Sequence, residues 1–158
     1  MMMIRPLLTT LAALLLPSIA LAEVPGDFGI GIGGGLGVSG LSMKAPVGPG
    51  AIQGVIGTYG WNGYYDDDRL GVSIDLLWSQ PTFASGGPVN LAWNIGFGGA
   101  VGVGQNDPLV GISGVAGLEF IVQPAPIDIV LEYRPGIILS PGVYSDLVNF
   151  SGHIRYYF

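Results

Sequence analysis

The sequence predicts an all-β protein, an eight-stranded antiparallel up-and-down transmembrane β-barrel, and three observations support this fold class. Apolar residues alternate with polar or small residues in eight segments, and successive side chains of a strand point to opposite faces. Apolar residues make up 49% of the chain and charged residues only 10%, whereas a soluble domain carries about 25% charged residues. After residue 22, no apolar run approaches the ~20 residues of a membrane helix. Since a bilayer tolerates no open sheet edge, a closed barrel is favoured.

The first 22 residues have the three parts of a secretory signal peptide. Arg5 supplies the basic start, residues 7–16 form the apolar centre, and Ala20-Leu21-Ala22 supplies the cleavage site. A membrane anchor is the alternative, but the apolar run is too short to span a bilayer and Pro17 follows it. We expect cleavage after Ala22 and one barrel domain over residues 23–158. The sequence has no Cys, so neither a lipid anchor nor a disulfide is expected.

The first four strand segments are residues 28–36, 41–47, 51–59 and 70–78, and turn-forming residues bound them. The first alternates apolar residues with Gly, whose missing side chains would make room for long lumen groups. The second alternates Leu, Met and Ala with Ser and Lys, and the fourth alternates Leu, Val and Ile with Gly, Ser and Asp. The third has no clear alternation, so its faces are unassigned and six or ten strands remain alternatives. The residues expected to face outward are Phe28, Ile30, Ile32, Leu36, Leu41, Met43, Ala45, Leu70, Val72, Ile74 and Leu76.

The last four segments are residues 89–101, 109–122, 127–137 and about 147–158, and their alternation is clearer. Large aromatic residues share a face with Leu and Ile, while charged residues occupy the opposite face. A soluble two-sheet sandwich would also alternate, but it would not distribute aromatic and charged residues in this way. The residues expected to face outward are Val89, Leu91, Trp93, Ile95, Phe97, Ile112, Ala116, Leu118, Phe120, Ile127, Ile129, Leu131, Tyr133, Ile154, Tyr156 and Phe158.

The connections between these segments are short. With a periplasmic amino terminus, residues 46–50, 80–88 and 123–126 form periplasmic turns. The external loops then lie near residues 38–40, 61–69, 102–108 and 140–146. Short external loops argue against an elaborate adhesin or receptor surface. A Gly-rich disordered or fibrous protein is a further alternative, but disorder usually accompanies low hydrophobicity.

The polar faces point into the lumen and carry both signs of charge. An eight-stranded barrel has an interior just wide enough for its own side chains, and buried charges must be paired. We therefore expect a salt-bridge network that plugs the lumen and prevents a wide channel. Its predicted members are Lys44, Asp75, Glu119, Glu132, Arg134, His153 and Arg155, with Asp128, Asn90, Asn94 and Tyr157 nearby.

A catalytic alternative rests on Ser151 and His153, which lie two residues apart on one strand face. Glu119 or Glu132 could orient the imidazole, which would supply a nucleophile, a base and an orienting carboxylate. This pair resembles that of the outer-membrane lipid A deacylases, which implies a lipid hydrolase. Here the order is Ser-x-His instead of His-x-Ser, the family's following Asn-Ala-Gly is missing, and the pair faces the lumen. We therefore expect no catalysis, with the hydrolase as the alternative.

A carboxylate cluster at residues 66–68 could bind Ca²⁺ or Mg²⁺ through its oxygens. It lacks the Gly and the distal Glu of an EF-hand loop, and adjacent Asp residues usually form a solvated loop tip. No metal or cofactor is therefore assigned. The net charge of −6, which loss of Arg5 would make more negative, argues against nucleic acid as a partner.

The end of the chain carries a resemblance to known barrels. Ile154, Tyr156 and Phe158 lie on one face, and this pattern resembles the C-terminal strand of bacterial outer-membrane β-barrels. Residues 40–44, 131–135 and 154–158 resemble uncharacterised small outer-membrane barrels. More loosely, the chain is similar to outer-membrane protein X and to the transmembrane domain of outer-membrane protein A.

The resemblance implies an integral, porin-like protein of the bacterial outer membrane, exported through the periplasm. The expected partners are outer-membrane lipid, lipopolysaccharide and the barrel-insertion machinery, which would read Ile154, Tyr156 and Phe158 as an assembly signature. We expect a monomer with an envelope structural or surface-interaction role. Fold alone does not select among the functions of such barrels.

Overall fold

The computed structural model describes residues 27–60, 69–79, 82–104 and 108–158. The predicted signal peptide and the carboxylates at 66–68 lie outside these residues. The strands are β1 (Gly29–Gly34), β2 (Val38–Val47), β3 (Gly50–Tyr59), β4 (Arg69–Ser79), β5 (Ala84–Gly86), β6 (Val89–Val103), β7 (Leu109–Val122), β8 (Ile127–Tyr133), β9 (Gly136–Ser140), β10 (Tyr144–Asp146) and β11 (Phe150–Tyr157). No helix in the described part of the chain is long and apolar enough to cross a bilayer.

The strands form a closed antiparallel barrel, which confirms the predicted fold class. Each barrel strand pairs with the next barrel strand along the chain. The first and last strands, β1 and β11, pair with Gly31 opposite Arg155 and close the ring. Strands β8 and β9 both pair with β7 and form two segments of one barrel strand. The short strands β5 and β10 pair only with β6 and β9. The barrel therefore has the predicted eight strands, namely β1, β2, β3, β4, β6, β7, β8 with β9, and β11.

Several local features differ from the sequence prediction. Residues 84–86 and 144–146, expected in a turn and in a loop, form the short strands β5 and β10. Residues 38–40, expected in a loop, begin β2, and the turn lies just before them, where Gly37 adopts φ 69°. Leu36, expected to face outward, is fully buried in the lumen because β1 ends at Gly34 and the chain then turns inward. The seventh segment is interrupted at Pro135, which lacks an N–H, although its carbonyl accepts from Gly114 N at 3.0 Å.

The remaining face assignments hold. Every other residue predicted to face outward is exposed or half-buried, and the residues between them on the strands are mostly buried. The unassigned strand β3 turns Ala51, Gln53, Val55 and Tyr59 inward. Its alternation is hard to recognise in the sequence because Gly54 and Thr58 interrupt the apolar residues of its outer face.

The lumen is filled in layers. We call the end that holds residues 35–37, 104, 108 and 140–149 the loop end, and the end that holds residues 48–49, 87–88 and 123–126 the turn end. An apolar cluster fills the loop end and consists of Leu36, Val38, Val55, Tyr59, Ala100, Leu109 and Ile138, with Tyr144 packed against it. A smaller contact of Ala92 with Ile121 lies near the turn end. Charged side chains occupy the lumen below the apolar cluster, and two of them, Glu119 and Asp128, lie opposite Ala92 and Ile121 in the strand register.

Candidate functional site

The structure brings all seven residues of the predicted network into the lumen. Each is at most 2% exposed, because each occupies an inward position of its strand. They come from strands spread around the barrel: β2 supplies Lys44, β4 supplies Asp75, β7 supplies Glu119, and β8 supplies Glu132. Arg134 follows directly after β8, and β11 supplies His153 and Arg155.

Arg134 is the centre of the largest cluster. Its Nη1 and Nη2 donate to the two carboxylate oxygens of Asp75 at 3.0 and 2.7 Å, a bidentate arrangement. Its Nε donates to Glu132 Oε2 and to Ser151 Oγ, both at 2.8 Å. Glu132 also contacts His153, since its Oε2 lies 3.0 Å from His153 Nε2. One guanidinium therefore compensates two buried carboxylates.

A second cluster surrounds Asp128, nearer the turn end. Arg155 donates to it through Nε at 3.0 Å and through Nη2 at 2.7 Å. The Tyr157 hydroxyl donates to Asp128 Oδ2 at 2.7 Å. Asp128 is fully buried, so these donors replace the water that an ionised carboxylate would otherwise bind.

Gln53 joins the two clusters. Its Nε2 donates to Glu132 Oε1 at 3.0 Å and to Asp75 Oδ2 at 3.2 Å, and its Oε1 accepts from Arg155 Nη1. An amide suits this position because it donates to the acidic side and accepts from the basic side. Sequence reasoning missed Gln53 because the faces of its strand were unassigned. A polar residue amid the apolar residues of the third segment was the available signal.

Lys44 and Glu119 form a separate pair. Lys44 Nζ donates to the two carboxylate oxygens of Glu119 at 2.7 and 2.9 Å. Both side chains are almost completely buried. The described lumen therefore holds three cations (Lys44, Arg134 and Arg155) and four carboxylates (Asp75, Glu119, Asp128 and Glu132), and the single His touches one of those carboxylates.

Inward glycines create the space for bulky lumen groups. A Cβ at Gly29 would lie 2.7 Å from the Tyr157 ring, and one at Gly33 would lie 2.2 Å from His153 Nδ1. Gly29 and Gly33 thus make room for an aromatic ring and an imidazole ring. Gly98 on β6 provides the same space for a charged group, because its Cβ would lie 2.0 Å from Asp75 Oδ1.

The predicted Ser151–His153 contact is not formed. Ser151 Oγ accepts from Arg134 and donates to Glu132 Oε2 at 3.1 Å. The imidazole lies between Ser42 Oγ, 2.8 Å from its Nδ1, and Glu132. Ser42 was visible in the sequence only as an inward residue of the second segment. It is fully buried, so no lipid substrate could reach its hydroxyl in this conformation.

Two further observations concern the predicted residue Asn94 and the possibility of a metal site. Asn94, predicted near the network, is buried under Gly117, and its amide makes no hydrogen bond to the described protein. Over the described ranges, no group of three or more His, Cys, Asp or Glu side chains is arranged to hold a metal ion.

The three C-terminal residues of the predicted signature face outward. Ile154, Tyr156 and Phe158 are all exposed, and the last two rings meet edge to face at 5.0 Å. The backbone of Phe158 extends the closing seam, because its N–H donates to Phe28 O at 3.0 Å and its carbonyl accepts from Asp27 N at 3.1 Å. These residues therefore contribute to closure of the barrel.

No protein-family model, curated protein or solved structure matches this chain. Its strand pairing and side-chain contacts are consequently the basis for the functional inference.

Proposed function

We propose that this protein is an integral barrel of the bacterial outer membrane with a closed lumen and an envelope structural or surface-interaction role, without catalysis. The observation that carries the proposal is the inverted polarity of the barrel. Every described charged side chain on the eight barrel strands is at most 2% exposed, whereas large apolar side chains cover the outer face. A soluble protein has the opposite distribution, while a barrel in hydrocarbon requires an apolar exterior.

Aromatic residues at the turn end support a membrane boundary there. Phe28, Trp78, Phe83, Tyr156 and Phe158 are exposed on the outer surface near this end. Aromatic rings are enriched at the level of lipid headgroups, where membrane barrels carry girdles of such residues. This girdle therefore fits the periplasmic boundary of the proposed orientation.

The layers of the lumen support a protein that does not conduct. The apolar cluster fills the loop end, and the ion-paired residues fill the centre. A water-filled channel would need an open lumen, which eight strands do not enclose once side chains occupy it. We expect no stepwise conductance when the protein is inserted into a planar bilayer.

The hydrolase alternative has weaker geometric support. Its proposed base, His153, contacts the buried Ser42 instead of Ser151, and Glu132 is ion-paired with Arg134. A lipid hydrolysis assay on the wild type, Ser42→Ala and Ser151→Ala tests this alternative. Activity in the wild type that either substitution abolishes would contradict a purely structural role.

A substitution that places a charge on the outer face tests the proposed membrane location. Ile74 is 57% exposed near the middle of β4. In a bilayer, Ile74→Arg should destabilise the barrel by about 2–4 kcal/mol. On a water-exposed surface, the same change should shift stability by only about 0.5 kcal/mol.

Val143→Arg is the matched control, because Val143 is 78% exposed in the loop before β10 and should tolerate the charge. Urea unfolding in phosphatidylcholine vesicles gives the stability. Gel mobility with and without boiling reports whether each variant is a closed, detergent-resistant barrel. Equal stability of both variants, or recovery of the wild type from the soluble periplasm, would contradict the proposal.

A further inference from the structure

We propose that the open backbone edge of β11 at the loop end pairs with an extended peptide segment of a partner protein by strand addition. This inference goes beyond the proposed function and does not require a bilayer. The edge lies beside a notch in the rim of the barrel, which has a volume of about 380 Å³. The notch is lined by residues 33–35, 37–39, 60 and 149–152.

The notch exists because the two sides of the closing seam end at different heights. Strand β11 pairs with β8 from Phe150 onward, but its register with β1 begins at His153. The same register would place Leu36 opposite Phe150, yet Leu36 is buried in the lumen as part of the apolar cluster. Within the described part of the chain, the first three residues of β11 therefore have a register partner on the β8 side and none on the β1 side.

Backbone hydrogen bonds show which groups of this edge face the notch. Asn149 O accepts from Arg134 N at 2.8 Å, which directs the backbone of Asn149 towards β8. Phe158 N donates to Phe28 O at 3.0 Å and points across the seam to the β1 side. Because the backbone groups of successive strand residues alternate in direction, the N–H and C=O of Phe150 share the direction of Phe158 and face the notch.

Contacts within the protein hold this edge in an extended conformation. The Phe150 ring lies on the outer face and meets the Tyr133 ring at 5.4 Å. The Ser151 hydroxyl points to the lumen, where it accepts from Arg134 at 2.8 Å and donates to Glu132 at 3.1 Å. An edge that is already ordered loses little conformational entropy when a partner binds, which favours binding.

The lining of the notch favours a peptide backbone over other ligands. Six of its eleven described residues are glycine and none of them is charged. The notch therefore offers no counter-charge for a phosphate and little side-chain surface for an apolar ligand. An open strand edge instead presents backbone donors and acceptors in the spacing that another strand matches. An added strand would continue the β1 side of the seam, which is already an interface between strands.

The experiment uses the full protein folded in detergent micelles. The probe is an N-acetylated, C-amidated peptide of alternating Val and Thr, residues that favour strands. Amide hydrogen exchange followed by NMR should show slower exchange of the Phe150 N–H as the peptide is added. The Phe158 N–H, already bonded to Phe28 O, is the internal reference and should not change.

Two substitutions at one position separate the backbone from the side chain. Phe150→Pro removes the N–H that faces the notch and should weaken peptide binding about fivefold. Phe150→Ala keeps that N–H and should bind as the wild type does. Pro is compatible with this position because its missing N–H lies on the open edge and not in the ladder with β8. Gel mobility with and without boiling shows whether each variant has folded, and the exchange measurement on the wild type tests the proposal if the Pro variant does not.

The possible outcomes distinguish the proposed occupant from others. Unchanged exchange at Phe150, or equal affinity of Phe150→Pro and Phe150→Ala for the peptide, overturns the proposal. Slow exchange at Phe150 before any peptide is added would show that the protein itself covers the edge, and also overturns it. A dimer of the free protein that Phe150→Pro dissociates would identify a second copy as the occupant, with the same result. None of these measurements requires a bilayer, so they are independent of the test with Ile74→Arg.

Discussion

Replacing Arg134 with Met removes the cation that compensates two buried carboxylates. Glu132 would keep contacts with Gln53, Ser151 and His153 at 3.0–3.1 Å. Among the side-chain donors in the described part of the chain, Asp75 would keep Gln53 Nε2 alone, at 3.2 Å. Since Asp75 is 1% exposed, the variant leaves an almost uncompensated buried charge, and we expect it to lose about 3–5 kcal/mol of unfolding free energy.

The same contacts predict a rescue. Asp75→Asn in the Arg134→Met background removes the orphaned charge and should restore about 2 kcal/mol or more. Urea unfolding in phosphatidylcholine vesicles, followed by Trp fluorescence, measures the wild type, Arg134→Met, Asp75→Asn and the double variant, which together form the double-mutant cycle. The reasoning is refuted if Arg134→Met lies within about 1 kcal/mol of the wild type. It is also refuted if the double variant is no more stable than Arg134→Met alone.

Three further predictions concern Gln53, the pairing of β1 with β11 that closes the barrel, and the apolar cluster at the loop end. Gln53→Leu removes the link between the two ionic clusters and should lower the free energy of unfolding by about 1–3 kcal/mol in the same urea assay. Unchanged stability would show that Gln53 does not stabilise the barrel by joining the clusters. Gly31→Ala should sharply reduce the yield of barrel whose gel mobility changes on boiling, because its Cβ would lie 1.9 Å from Ile154 O. Gly86→Ala is the control, since its Cβ meets nothing within 4 Å and the variant should assemble normally. Equal yields of the two variants would contradict the close approach of β1 to β11. Leu36→Ala should destabilise the barrel by about 2–5 kcal/mol through the cavity it leaves. It should still show no conductance in planar bilayers, since the ionic layer remains; channel openings would show that the apolar cluster alone closes the lumen.

The sequence by itself predicted eight barrel strands, with six or ten as alternatives, and the face of most residues. Alternation follows from covalent geometry, because neighbouring side chains of any strand point to opposite sides. That local rule places Asp75, Glu119 and Arg134 inward without knowledge of any partner. It failed at Leu36, where the strand had already ended and the period of two no longer applied.

The tertiary structure decided which lumen groups meet. Arg134 pairs with Asp75, 59 residues earlier, because the stagger of the closed barrel brings β4 and the end of β8 to the same depth. Alternation carries no information about that depth, so the sequence could not separate the Arg155–Asp128 and Lys44–Glu119 pairs from other combinations. The role of Gln53 and the contact of His153 with Ser42 have the same origin. They depend on strands that are not paired with each other, whose inward side chains meet across the lumen only when the ring closes.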